Sequence, residues 1–211
     1  MSGSTEIELR LVSESPFTAV YQFTFFQMNL ARPEAQDAIA WKLIERPGEG
    51  EAHAFGFGPA TEVDIMDDYG NFTPRLPARP GQRYAAILNP SGIVFVDGGA
   101  AERPDSYTIA SELQRGNIDG NVYRSGLLIG QQARIGPGQR GIFRYGFGLH
   151  LAVTRGLVEG QVIGKKVTTK AVAEFDLTGI RSADFVVRGG GKPRQKVPFS
   201  IALENVLPHD A

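Results

Sequence analysis

The stretch Asp64-Ile65-Met66-Asp67-Asp68-Tyr69-Gly70-Asn71 gathers four carboxylate or amide side chains within eight residues. Calcium takes about six to eight oxygen ligands, so this cluster is the chain's first candidate for metal chemistry. It lacks the alternating Asp/Asn ladder and terminal Glu of a helix–loop–helix calcium site. Asp, Gly and Asn are also the ordinary residues of a turn. The expectation is therefore a strand-end turn with no metal. His53, His150 and His209 are isolated from one another in the chain, and no pair has the close spacing of a zinc site. His150 falls on the polar side of an alternating segment, where a solvated histidine is expected. There is no cysteine. That removes disulfides, thiolate metal sites and cysteine nucleophiles together.

For hydrolysis, the nucleophile elbow Gly-x-Ser-x-Gly fails at Ser125-Gly126, because position 123 is Tyr. Gly56-Phe57-Gly58 and Gly146-Phe147-Gly148 each offer two glycines, without a third or a P-loop lysine, and neither opens a helix. They read as small residues on the crowded side of a twisted sheet. Glu174 and Asp176 are paired carboxylates with no assignable partner. The segment 188–196 is basic and Gly-rich and could touch phosphate. No aromatic residue interleaves it for base stacking, so a solvated loop is expected and nucleic acid is not. No catalytic, cofactor-binding or metal-ligating residue is assigned, and no cofactor is expected.

The elements that would position any site are strands. Ile7, Leu9 and Leu11 alternate with polar residues, as do Tyr21, Phe23 and Phe25. The longest alternation is Phe143, Tyr145, Phe147, Leu149, Leu151 and Val153, read as one strand over about 142–154 with its apolar face in the core. Val197, Phe199, Ile201 and Leu203 repeat the pattern. Reversals are expected at Arg46-Pro47-Gly48, Asn89-Pro90-Ser91-Gly92, Asp119-Gly120-Asn121, Gly136-Pro137-Gly138 and Gly189-Gly190-Gly191. One helical turn is expected at 33–37, then a strand from about 38 to 45. No internal repeat is legible. The fold class is all-β, an antiparallel, jelly-roll-like β-sandwich with at most one or two short helical turns, as a single domain over 1–211.

Composition supports a globular chain: 211 residues, 42% hydrophobic and 21% charged. The 26 glycines, about 12% of the chain against a usual ~7%, imply many tight turns. The segment Met1–Glu6 lacks a basic stretch followed by an apolar run, and no apolar run is long enough to span a membrane. A cytoplasmic location is expected, with leaderless export left open. Residues 1–110 hold 8 Lys/Arg against 15 Asp/Glu, and residues 111–211 hold 14 against 8. Either folding interleaves the halves and the field cancels, or the molecule is dipolar and meets its copies acidic face to basic face. The candidate contacts for the second case are Glu49, Glu51, Asp67 and Asp68 against Lys165, Lys166, Lys192 and Lys196.

Four short pieces carry a family likeness: Val20-Tyr21-Gln22, Ala40-Trp41, Leu128-Ile129 ahead of Ile135-Gly136, and Glu159-Gly160-Gln161-Val162. In this order they resemble the rhizosphere-induced RhiA-type bacterial family. Phe55-Gly56-Phe57 stands where that family has a tryptophan-rich strand. The resemblance implies a cytoplasmic β-sandwich of unsettled function and supplies no catalytic residues. The expected function is a non-enzymatic binding or self-assembling protein, with self-association or a protein partner. The alternatives are a lectin-like carbohydrate binder using exposed Tyr or Trp faces and Asp/Asn loops, and a hydrolase with a distributed acid/base pair.

Overall fold

A computed structural model describes residues 6–32, 38–164, 172–191 and 197–209. Among them the chain is all-β, with sixteen strands and a 3-10 turn at Thr18–Val20. The strands are β1 (Ile7–Ser13), β2 (Gln22–Phe26), β3 (Lys42–Glu45), β4 (Ala52–Phe57), β5 (Thr61–Asp67), β6 (Leu76–Ala78), β7 (Gln82–Asn89) and β8 (Gly92–Ala100). They continue as β9 (Tyr107–Ser111), β10 (Ile118–Arg124), β11 (Leu127–Ile135), β12 (Arg140–Phe143), β13 (Gly148–Thr154), β14 (Val172–Asp176), β15 (Ile180–Gly189) and β16 (Phe199–Pro208). The helical turn expected at 33–37 lies outside the described residues.

The fold is an all-β sandwich architecture whose strands gather into two compact units, each built from two four-stranded sheets. The first unit comprises Met1–Gln27, Ile39–Pro59 and Phe147–Ala211, and the second comprises Met28–Ala38 and Ala60–Gly146. In the first unit, sheet β16-β15-β1-β4 faces sheet β14-β13-β2-β3 across an aromatic core. Phe185 on β15 meets Phe25 on β2 and Phe175 on β14, both at 5.0 Å between centroids. Trp41, 1% exposed, packs edge-on against Phe57 at 5.5 Å. Ile7, Leu9 and Leu11 face this core, as their alternation predicts. In the second unit, sheet β12-β9-β7-β8 faces sheet β11-β10-β5-β6 around Val63, Ile65, Tyr84, Ile109, Val122 and Phe143.

Two expected elements are corrected. Asp119-Gly120-Asn121 is not a hairpin; it lies within β10, paired on both sides by β5 and β11. A Cβ on Gly120 would stand 3.1 Å from both Ile109 Cδ1 and Ile135 Cδ1, so this glycine serves close packing rather than reversal. The segment 142–154 is not one strand either. Phe143 ends β12 in the second unit, and Leu149 and Leu151 lie on β13 in the first. The chain crosses between the units at Gly146/Phe147. An alternating pattern continues through that crossing although the pairing does not, and Phe147 is left 37% exposed.

The sixteen strands also carry a repeat that the residue pattern hides. Numbered in order, β1–β8 correspond to β9–β16, and each of the twelve described pairings maps onto another under that shift. The β1–β15 pair corresponds to β9–β7, and these two pairs alone among the twelve are parallel. The β2–β13 pair corresponds to β10–β5, and the β1–β4 pair to β9–β12. Local detail follows the same shift. Ser13 N donates to Glu51 O and Gly50 N to Ser13 O; Ser111 N donates to Gln139 O and Gly138 N to Ser111 O. Gly48 N is capped by the Glu51 carboxylate at 2.8 Å, and Gly136 N by the Gln139 amide oxygen at 3.0 Å. Arg46 and Arg134 both take positive φ, 49° and 57°, which non-glycine residues seldom adopt.

Each unit therefore draws four strands from β1–β8 and four from β9–β16. The acidic and basic halves of the sequence are thus both divided between the two units.

Burial separates two phenylalanines that a single strand would have equated. Phe143→Ala should cost about 3–5 kcal/mol through lost burial and a cavity, and Phe147→Ala about 1 kcal/mol. Urea unfolding of both variants checks this; equal losses would contradict the break at 144–147.

Candidate functional site

The acidic cluster of the sequence divides between two jobs. Asp64 is buried at the centre of β5, where its Oδ1 accepts from Asn121 Nδ2 at 2.9 Å and from the Tyr123 hydroxyl at 3.2 Å. Gln131 Nε2 donates in turn to Asn121 Oδ1 at 2.9 Å. Arg75 lies 3.6 Å above the Tyr123 ring, with its Nε 3.8 Å from Asp64 Oδ2. Burial raises the Asp64 carboxyl above the usual carboxylate range, against the pull of those donors. Burial and the neighbouring Asp64 push the Tyr123 hydroxyl up to about 12.

Asp67 and Asp68 act as turn acceptors. Asp67 Oδ1 takes the backbone N–H of Tyr69 and of Asn71, both at 2.9 Å, and Asn71 Nδ2 reaches Asp67 Oδ2 at 3.0 Å. These donors hold the Asp67 carboxyl below the usual range, the Asn71 side chain contributing most. Asp68 Oδ2 accepts from Asn117 N at 2.8 Å, fastening the β5–β6 hairpin to the β9–β10 connection. Among the described residues no group of three or more His, Asp or Glu is placed to hold a metal ion.

The histidines do not converge. His53 lies 3.2 Å from Glu51 near the surface, and His209 N donates to Gly179 O. His150 is not solvated as expected. Its side chain is 15% exposed and stacks on Phe26 at 5.1 Å, with Nδ1 buried and unbonded and Nε2 3.8 Å from Glu174. Burial lowers its pKa. Asp176 is occupied by Thr178, whose hydroxyl donates at 2.6 Å, so Glu174 and Asp176 do not act as a pair. Of the basic segment 188–196, only Arg188 to Gly191 are described. Arg188 Nη2 donates to Glu204 at 3.0 Å and Nε to Glu14 at 2.6 Å.

The structure draws together one surface that the sequence did not single out. At one end of the second unit, the β5–β6 hairpin, the β7–β8 hairpin and the β9–β10 connection enclose a cleft of about 640 Å³. Its apolar lining is Leu88, Ile93 and Leu113, and Tyr69 stands at its rim, 90% exposed. Asp67, Asp68, Gln114, Arg115 and Asn117 supply polar groups around it. The β5–β6 tip is tied by hydrogen bonds despite its exposure: Gly70 takes φ 83°, and Asp67 accepts from the residues on either side of it. Binding surfaces commonly sit on loops held by a rigid scaffold. The sequence signal was present in Asp67-Asp68-Tyr69-Gly70, but the apolar half comes from 18 or more residues downstream and depends on the sheet pairing.

The equivalent end of the first unit has different chemistry. There Val20, Tyr21, Gln22, Glu45, Arg46 and Arg155 line a cleft of about 440 Å³. Arg155 stacks on the Tyr21 ring at 4.5 Å. A buried arginine, Arg124, was also missed by the sequence reading. Burial lowers its guanidinium to about 10, against the opposing pull of Tyr107 and Tyr145, and its Nη2 donates to Gly146 O at 3.3 Å. Gln27, its counterpart in the first unit, donates likewise to Gly148 O at 2.7 Å, which makes both of them anchors for the backbone.

Comparison with protein-family models, with curated proteins and with solved structures gave no match. Function therefore rests on the chain's own geometry.

The Asp64 network predicts a pH effect of definite sign. A folded-state pKa above that of the unfolded chain means that the contribution favouring folding is present at low pH. It is lost as pH rises through the raised folded-state value. Asp64→Asn removes this titration and should flatten the stability-versus-pH curve in that window. An unchanged curve by thermal unfolding would show that Asp64 is not perturbed.

Proposed function

We propose that this chain is a non-enzymatic binding protein, with the cleft beside Tyr69 as its binding surface. One observation carries the reading: an almost fully exposed tyrosine on a hairpin tip held by Asp67, above an apolar lining of Leu88, Ile93 and Leu113. Large apolar side chains scattered singly over a surface need no explanation, but several lining one cleft with polar groups at its rim mark a ligand site. An aromatic face with carboxylate, amide and guanidinium groups beside it suits a carbohydrate, whose rings present both C–H faces and hydroxyls. Trp41 takes no part, because it is buried in the other unit. This favours the carbohydrate reading over a hydrolytic one, which would need acid and base groups facing each other across the cleft.

Kinship with RhiA-type proteins and a cytoplasmic site of action belong to the same proposal. Among the described residues no helix is long and apolar enough to cross a membrane. Self-assembly through opposed charge has less support than binding at the cleft, since each half-chain is divided between the two units. Lys165, Lys166, Lys192 and Lys196, the basic contacts expected for it, lie outside the described residues.

Tyr69→Ala is the direct test. The side chain is exposed, so the melting temperature should stay within about 1–2 °C of the parent, in the range usual for a surface substitution. Binding to the best ligand of a glycan array should weaken at least about tenfold, as expected for loss of an aromatic anchor. An array on which the parent binds nothing, or undiminished binding by the variant, would overturn the proposal.

A further inference from the structure

The repeat has a consequence for association. Of the twelve strand pairings, eight join strands of the same half-chain and four join strands of opposite halves. Those four are β1–β15, β2–β13, β5–β10 and β7–β9, one at the middle of each sheet. Every sheet is thus two strand pairs, one from each half, zipped along a central seam. Without the seams, neither half holds anything larger than a two-stranded ribbon, which is marginal in water. A half-chain cannot bury its apolar faces by itself.

Each seam also carries a polar link that fixes its register. Arg10 grips Asp184 across β1–β15 with two hydrogen bonds, at 2.7 and 2.6 Å. The Thr24 and Thr154 hydroxyls meet at 2.6 Å across β2–β13. Asn121 donates to Asp64 across β10–β5, and Arg83 on β7 pairs at 2.5 Å with Glu112, the residue following β9. A seam pinned in register is specific for its own half, whichever molecule supplies that half.

We propose that the chain is a fused dimer of two equivalent half-chains, and that a second copy of this chain can supply the completing half in trans. The halves β1–β8 and β9–β16 are joined by Glu102–Asp105. That connection bridges a fixed gap: Ala101 N donates to Gly81 O, and Ser106 O accepts from Gly81 N. Ala101 and Ser106 therefore flank one strand, about 10 Å apart across two inter-strand spacings. A single peptide step reaches about 3.8 Å. Deleting residues 102–105 leaves one such step between them, too short for closure within a single chain. The exposed pairs Arg140–Glu102 and Arg144–Asp105 are lost as well, but surface pairs of this kind add little to stability. Exchange of an identical element between copies then becomes the low-cost route to a folded state.

The deletion of 102–105 in the full chain, examined by light scattering and circular dichroism, should give a dimer with the parental β spectrum. A folded monomer would overturn the proposal. A second variant keeps the test independent of that deletion: the full chain with a protease site in a Gly/Ser insertion between Arg103 and Pro104. After cutting, the two fragments should elute as one folded species. When denatured and refolded with a differently tagged cut sample, they should exchange partners to a near-statistical mixture. Fragments that separate under native conditions, or that never exchange, would overturn the proposal.

Discussion

Everything else in this structure depends on the four seams between strands that lie far apart in the chain. β1 finds β15, β2 finds β13, β5 finds β10 and β7 finds β9, and each sheet exists only when its seam has closed. The cost is loop-closure entropy that must be met before any long-range contact forms. The return is a set of cores that no local hairpin could build. The polar links across the seams account for several side chains that the sequence offered as chemistry. Asp64 accepts hydrogen bonds from Asn121 and Tyr123, and these bonds tie β5 to β10.

The cleft beside Tyr69 follows from the same architecture. Its walls are two local hairpins and the β9–β10 connection, and the β5–β10 and β7–β9 seams bring them to a common end. The corresponding end of the first unit has the same construction with other side chains, Arg46, Arg155 and Tyr21 in place of an acidic and apolar lining. A duplicated scaffold can hold its turns constant while its loop chemistry diverges. The paired caps at Gly48 and Gly136 are constant in this sense, whereas Arg155 and Asp67 occupy equivalent positions with opposite charge.

How much was legible depended on range. Alternation at Ile7–Leu11 gave a strand with its buried face assigned correctly, because period-two patterning is local; at Tyr21–Phe25 it gave the strand, but Thr24 and Phe26 on the opposite face are buried as well. Turns at Arg46-Pro47-Gly48, Asn89–Gly92 and Gly136-Pro137-Gly138 were readable for the same reason. Asp119-Gly120-Asn121 misled because a glycine that close packing in a sheet demands looks the same in sequence as one that a turn demands. The repeat went unseen although Arg46-Pro47-Gly48-Glu49-Gly50-Glu51 and Arg134-Ile135-Gly136-Pro137-Gly138-Gln139 share Arg, two Gly and a Glu/Gln cap at the same spacing. Elsewhere the halves differ: Thr24 stands for Asn121, Phe25 for Val122 and Gln27 for Arg124. What is retained is hydrogen-bond geometry, which residue identity does not display. The half-buried His150 was misplaced because its outer face is covered by chain distant in sequence.

Native-state hydrogen exchange, followed by mass spectrometry or NMR, tests the central claim most directly. If the seams hold the fold, amides of β1, β2, β5, β7, β9, β10, β13 and β15 that bond across them should be the slowest to exchange. They should also lose protection together, since neither half survives alone. Protection that persists in β1–β8 after β9–β16 has exchanged, or the reverse, would contradict the account. It would mean that one half holds its structure without the other.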